Sequence, residues 1–220
     1  GTDAYVAKFN PLGTSLIGGT YVGGSGNDAL NADLLKKNYG DEFRGEIIVD
    51  ANDNCWVATT TSSIDFPVVN PLQANNGGDY DAILFKFNSN LSGLLWSSYY
   101  GGTNADAAYS IQLNSLNQPI ITGGTLSSDL TMSSGQNTSS FGGVDGFIIK
   151  LNTSGSTLIN STFLGTTAYD QCYFVQVDLN DDIYVFGQSQ GTYNITPSTV
   201  FSNPGSGQFI HKFDANLATT

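Results

Sequence analysis

Two short runs in this chain place oxygen-bearing side chains at every second residue: Asp50, Asn52 and Asn54, and again Asp178, Asn180 and Asp182. Alternating oxygens of this kind can ligate Ca²⁺, which takes six to eight of them. A helix-loop-helix calcium site also needs a turn glycine and a distal bidentate Glu, and neither run supplies them. Asp and Asn make turns equally well by bonding their own backbone. A turn is the expectation at both runs, and Ca²⁺ is the one cofactor they bring into question.

Catalytic constellations are missing from the pattern. His211, the only histidine, aligns with Ala7, Phe85 and Ile149 of a recurring segment, a packed strand position. No cysteine lies near it in sequence, so a Cys-His or Ser-His relay has no support. The carboxylates recur in register instead of forming one close pair, which leaves a glycosidase without its acid and base. The expectation is no catalytic residue and no enzyme.

The seven basic residues have two addresses. Lys8, Lys86, Lys150 and Lys212 sit in the recurring segment; Lys36, Lys37 and Arg44 sit in a stretch that interrupts it. The repeat lysines are expected to pack their stems between sheets while their heads meet Asp28, Asp106 or Asp170. A shared anion-binding channel is the alternative. Long loops on a rigid scaffold often carry function, so Lys36, Lys37, Tyr39 and Arg44 are the candidate interaction residues.

A net charge of −12 and a pI near 4.1 lack the basic footprint of a nucleic-acid binder. They also give no electrostatic grip on anionic membranes. No apolar run reaches membrane-spanning length. Charged residues make up only 12% of the 220 residues, and Ser, Thr, Asn and Gly take their place. That mix suits strands joined by tight turns. The two cysteines, Cys55 and Cys172, fall at non-equivalent repeat positions, so no designed disulfide is expected.

The elements that carry these residues repeat. Asp3-Ala-Tyr-Val-Ala-Lys8-Phe-Asn10 returns at 81–88, 145–152 and 207–214, with its lysines 78, 64 and 62 residues apart. Thr20-Tyr21-Val-Gly-Gly24 returns at 98–102 and, as Thr-Phe-Leu-Gly-Thr, at 162–166. Asp50, Asn114 and Asp178 mark a third landmark, 64 and 64 apart. Three landmarks with one period define a repeat of about 64 residues. The longer first spacing places an insertion of about 14 residues near 31–44. Leu30, Leu34 and Leu35 have helical spacing, so a short helix is expected across 28–38.

Each unit reads as four antiparallel strands: the Lys segment, the Tyr/Phe-Gly segment, and two strands flanking an Asn/Asp turn such as Ala51–Asn54. Tyr5, Ile83, Phe147 and Phe209 share one face of the Lys strand, and Val6, Leu84, Ile148 and Ile210 the other. A strand apolar on both faces is covered on both sides, as blades stacked around an axis are. The expected fold is an all-β propeller of four-stranded blades. It divides into a leading strand at 1–10, a blade at 11–88 with the insertion, and blades at 89–152 and 153–214. Three blades do not close a ring comfortably, so the chain is expected to belong to a larger propeller.

The segments Asp3–Asn10, Thr20–Gly24, Val49–Val57 and Asp65-Phe66-Pro67 resemble the bacterial SBBP-type β-propeller repeat family. The resemblance implies a secreted or cell-surface protein of the kind common in Bacteroidetes, with links to type IX secretion and gliding motility. It carries over no catalytic motif. The chain departs from the pattern where Asp53, Asn117 and Asp181 replace the turn glycine, and where Gly207 replaces the leading Asp. The functional expectation is a non-catalytic scaffold or adhesion module whose partner is a protein or a surface glycan. A carbohydrate-binding or carbohydrate-acting propeller, using Trp56 and Trp96, is the alternative.

Overall fold

The computed structural model describes residues 1–203 and 205–219, with the backbone alone at Tyr39. Among the described residues the chain is all-β. Its strands are β1 (Ala4–Phe9), β2 (Leu16–Val22), β3 (Glu46–Val49), β4 (Cys55–Thr61), β5 (Asp81–Phe87), β6 (Leu94–Tyr100) and β7 (Asp106–Leu113). They continue as β8 (Pro119–Thr125), β9 (Asp145–Leu151), β10 (Leu158–Leu164), β11 (Asp170–Val177), β12 (Ile183–Ser189) and β13 (Gln208–Phe213). They form four antiparallel meanders: β1-β2, β3-β4-β5-β6, β7-β8-β9-β10 and β11-β12-β13.

The turns follow from local chemistry. Asp50 Oδ1 accepts from the backbone N–H of Asn52 and Asn54, Asn114 Oδ1 from Leu116 and Gln118, and Asp178 Oδ1 from Asn180 and Asp182. Asp53, Asn117 and Asp181 adopt φ of 60°, 58° and 65°. Asp and Asn tolerate this left-handed conformation better than other side chains do, which is why the turn survives without its glycine.

Sheet boundaries differ from the units drawn on the sequence. β2 bonds to β1, and β6 to β5, so each of the two four-stranded sheets begins at the strand before an Asn/Asp turn and ends on the Tyr/Phe-Gly strand. Units 11–88, 89–152 and 153–214 are therefore one strand out of phase with the sheets. A periodic sequence aligns equally well in any phase; the short turn after each Lys strand sets the pairing.

The sheets stack with a fixed polarity. The Val6 face of β1 packs on Ile83, Phe85 and Phe87 of β5. The Leu84 face of β5 packs on Phe147 and Ile149 of β9, and the Ile148 face of β9 on Phe209 and Phe213 of β13. The alternation explains the two-sided apolarity. Ile83, Leu84, Phe147 and Ile148 are fully buried, whereas Tyr5 at one end of the stack is 52% exposed and Ile210 at the other 75%.

The first strands of successive sheets, β3, β7 and β11, are laced together. Glu46 Oε2 accepts from the Ser110 hydroxyl and from Ile111 N–H at 2.7 Å, and Ser110 Oγ accepts from Val175 N–H at 3.0 Å. Glu46, Ser110 and Phe174 occupy one repeat position, 64 residues apart. A side-chain acceptor on one strand thus takes the next strand's backbone donor beside a bulge, at Ala108/Ser110 and at Cys172/Phe174.

Candidate functional site

The insertion does not form the expected helix. Asp33–Leu35 and Tyr39–Asp41 are single 3₁₀ turns, and Ala29 is left-handed at φ 60°. Of the three leucines, Leu35 is fully buried while Leu34 is exposed, so no continuous apolar stripe forms.

The segment folds back over the ends of β7 and β11. Leu35 and Ala32 pack with Ala107, Tyr109, Val144 and Tyr173. The Leu35 carbonyl accepts from Gln171 Nε2 at 3.0 Å and from the Tyr169 hydroxyl at 3.3 Å, contacts spanning more than 130 residues of sequence. Arg44 is the pivot. Its guanidinium lies 4.3 Å from the Tyr173 ring centroid and 5.7 Å from that of Tyr109, and its Nη2 meets Asp41 Oδ1 at 2.9 Å. Asp41 has no solvent exposure, and its Oδ2 accepts from the backbone N–H of Lys37 and Asn38.

Among the expected interaction residues, then, Arg44 is structural. Lys36 is half-buried, bonded to Asp33 at 2.9 Å and near Glu42. Lys37 is exposed, with its ammonium 4.6 Å from the Tyr169 ring. The Tyr39 side chain lies outside the described residues. Leu34, Lys37 and Phe43 of the insertion are exposed, as are Asp33 and Asn38; sequence reasoning named neither apolar residue as an interaction candidate.

Three phenols converge beneath the insertion. Burial is the main cause pushing Tyr173 up to about 12, and burial with neighbouring phenols and Asp41 also raises Tyr109 and Tyr169 well above the usual phenol range. All three stay protonated at neutral pH, which offers neither base nor nucleophile: Tyr169 donates to the Leu35 carbonyl, Tyr109 accepts from Gln171 Nε2, and the buried Tyr173 hydroxyl has no hydrogen-bond partner among the described residues.

A second recurring arrangement lies at the sheet junctions. Asp28 accepts from the Thr61 and Ser63 hydroxyls and Gly24 N–H; Asp106 accepts from the Thr125 and Ser127 hydroxyls and Gly102 N–H. Beside each stands the leading Asp of the preceding Lys strand. Oxygens of Asp3 and Asp28 both lie within 2.5 Å of where a Cβ on Gly23 would project, and those of Asp145 and Asp170 within 3.0 Å of the same point on Gly165. Burial pushes Asp81 up to about 7, with the charge of Asp106 adding to it. Burial likewise pushes Asp106 and Asp145 to about 6.

The repeat lysines do not answer these carboxylates. Lys8 and Lys150 donate to the carbonyls of Ser89 and Ala215 on the next sheet, each at 2.8 Å. Lys86 pairs with Asp50 at 2.9 Å and Lys212 with Asp182 at 2.7 Å. Leading Asp and Lys stand five residues apart on one extended strand, about 16 Å, so one head cannot reach the other end.

In the two oxygen-rich runs the side chains serve the turns. Asp50 Oδ2 is taken by Asn54 Nδ2, Trp56 Nε1 and Lys86, while Asp182 is taken by Lys212. Among the described residues no group of three or more His, Cys, Asp or Glu is placed to hold a metal. His211 packs flat on Phe213 and meets the Tyr193 hydroxyl through Nδ1 at 2.8 Å; burial lowers it to about 4. Cys55 and Cys172 are buried and unlinked.

A cleft of about 630 Å³ runs between the second and third sheets, lined by Trp56, Lys86, Trp96, Thr153 and Ser154 among others. Its tryptophans are not free to stack on a sugar. The Lys86 ammonium sits 4.4 Å over Trp56, and a Cβ on Gly155 would fall 2.3 Å from the Trp96 ring.

No helix among the described residues is long and apolar enough to cross a membrane. Compared with known proteins, the chain matches no family model and no curated protein.

Proposed function

We propose that this chain is a segment of a secreted or surface β-propeller of the SBBP type, a non-catalytic scaffold that presents its insertion to a protein partner. The stacking polarity supports this reading most directly: each sheet lays one apolar face on the opposite face of the next, while β3, β7 and β11 stay side by side and bonded. Face-to-face stacking with neighbouring first strands side by side is what a blade reading expects.

The insertion gives such a scaffold a presenting surface. It is clamped from beneath by Arg44, Asp41 and Leu35 and leaves Leu34, Lys37 and Phe43 outward. Rigid display of exposed apolar groups lowers the ordering cost of binding. The cleft at Trp56 and Trp96 lends a glycan reading no support.

The test is capture of a protein partner from the producing bacterium by the immobilised chain, compared with Leu34→Asp/Phe43→Asp. The double variant is expected to keep its unfolding midpoint and lose capture. Undiminished capture would remove the insertion as the presenting element.

A further inference from the structure

Asn76-Gly77 is the one Asn-Gly pair in the chain. Such a pair can react with itself: the Gly nitrogen attacks the Asn side-chain carbonyl carbon, a five-membered imide closes, and ammonia leaves. The step is speeded by a base at the Gly N–H and by a donor to the oxygen that takes on charge. A residue without a side chain after Asn leaves the nitrogen open to react.

The fold brings these parts together. Gly77 N–H donates to Asp81 Oδ2 at 2.8 Å, and Gly78 N–H donates to Asn76 Oδ1 at 2.9 Å. The N–H bond lies in the peptide plane, so a base on the hydrogen leaves the nitrogen's π electrons free. Nothing holds the leaving nitrogen: Asn76 Nδ2 is buried with no hydrogen-bond partner among the described residues. Asp81 has no solvent exposure, and burial pushes it up to about 7, the range of an effective base at neutral pH. Gly77 itself is exposed, so water reaches the imide. Both glycines are packed in place: a Cβ on Gly77 would fall 2.6 Å from the Gly102 carbonyl oxygen, and one on Gly78 2.6 Å from that of Asn104.

The next junction has the same cradle without the amide. Phe141 N–H donates to Asp145 Oδ2 at 2.9 Å, and Gly142 N–H to Ser140 Oγ at 3.1 Å. Ser140 stands 64 residues after Asn76.

We infer that Asn76 is a self-modification site, at which Asp81 is the general base and Gly78 N–H the oxyanion donor for closing a succinimide with Gly77. Gly77 N bonds to Asn76 Cγ, its proton passes to Asp81 Oδ2 and on to the departing Nδ2, and the Cγ–Nδ2 bond breaks to release ammonia. Water then opens the imide at either carbonyl, leaving aspartate or isoaspartate at position 76. The converted chain gains a negative charge close to Asp81. The isoaspartyl form also adds a backbone carbon where the Gly102 and Asn104 carbonyls leave no room, so conversion should lower the melting temperature.

The experiment incubates the folded chain at neutral pH and follows position 76 by intact mass and peptide mapping. The synthetic peptide 73–80 and the variants Asp81→Asn and Asn76→Gln are run beside it. The folded chain should convert at least about tenfold faster than the peptide, and Asp81→Asn, which keeps an oxygen for Gly77 N–H, should slow it by about tenfold or more. Asn76→Gln should not convert. A folded chain that converts no faster than the peptide overturns the inference, and so does an Asp81→Asn rate equal to wild type. Ser140→Asn/Phe141→Gly installs the reacting pair over Asp145 and should convert at position 140; absence of conversion there in the folded double variant counts equally against it.

Discussion

Thr166 and Gly191 face one another at the third sheet junction, where the first two junctions place Gly24 against Ser63 and Gly102 against Ser127. A Cβ on Gly191 would lie 2.1 Å from the Thr166 hydroxyl, and one on Gly24 or Gly102 would lie 2.7 Å from the opposing serine Cβ. The space holds one side chain. Its hydroxyl reaches the same acceptor from either wall: Ser63 bonds Asp28 Oδ2 at 3.0 Å, Ser127 bonds Asp106 Oδ2 at 2.8 Å, and Thr166 bonds Asp170 Oδ2 at 2.8 Å. Gly191→Ser alone should cost roughly 1–3 kcal/mol by overpacking. Thr166→Gly alone should cost roughly 0.5–1.5 kcal/mol through the lost hydrogen bond to Asp170 Oδ2. Together they restore the arrangement of the other two junctions, and the double variant should approach wild type. A double-mutant cycle in urea with coupling below about 0.5 kcal/mol would refute the swap.

Arg44→Ala strips the partner from Asp41, a carboxylate with no exposure, and uncovers the rings of Tyr109 and Tyr173. Loss of one partner from a buried pair costs roughly 3–5 kcal/mol; with Arg44 partly exposed the lower figure applies. Deleting 31–44 should destabilise further, because Leu35 leaves the core with it. Differential scanning calorimetry separates these from Phe43→Ser, which should leave the melting temperature within about 2 °C.

Glu46→Ala leaves Ile111 N–H and the Ser110 hydroxyl without their acceptor. An unsatisfied buried donor costs roughly 1–3 kcal/mol. Ser110→Ala should cost a similar amount, because Val175 N–H loses its acceptor as well. Hydrogen exchange should rise at Ile111 in Glu46→Ala and at Val175 in Ser110→Ala.

Stability should fall between about pH 4 and pH 7. Asp81, Asp106 and Asp145 have folded pKa values raised by burial to about 7, 6 and 6. The folded chain therefore binds these protons more tightly than the unfolded one, whose carboxylates titrate near 4. Their contribution is complete below pH 4 and lost as pH rises through 6 to 7, on the order of 1.4 kcal/mol per pKa unit. His211 acts oppositely: lowered to about 4, it contributes above pH 6.5 and loses that as pH falls toward 4. Asp81→Asn keeps an oxygen for Gln73 Nε2 and Gly77 N–H and abolishes one charge. It should be more stable than wild type at pH 8 and show a shallower pH slope in thermal melts. An unchanged slope would remove Asp81 as a source.

The sequence by itself determined what is local. The Asn/Asp turns are built by side chains bonding backbone two and four residues away, and the two-faced apolar strands announce burial on both sides. Hence the all-β class, the hairpins, the period near 64 residues and the place of the insertion could all be read without coordinates. Tertiary structure alone decided the rest. Strand phase depends on which neighbour a hairpin bonds, and a repeat has no intrinsic start. Arg44 became a clamp because Tyr109 and Tyr173, far along the chain, come to lie beneath it. The leading carboxylates could be counted in the sequence, but that none meets a basic partner among the described residues follows from strand length, which holds the repeat lysine at the opposite end of the same strand. Thr166 and Gly191 read as two unrelated departures from the repeat until folding set them across one small space.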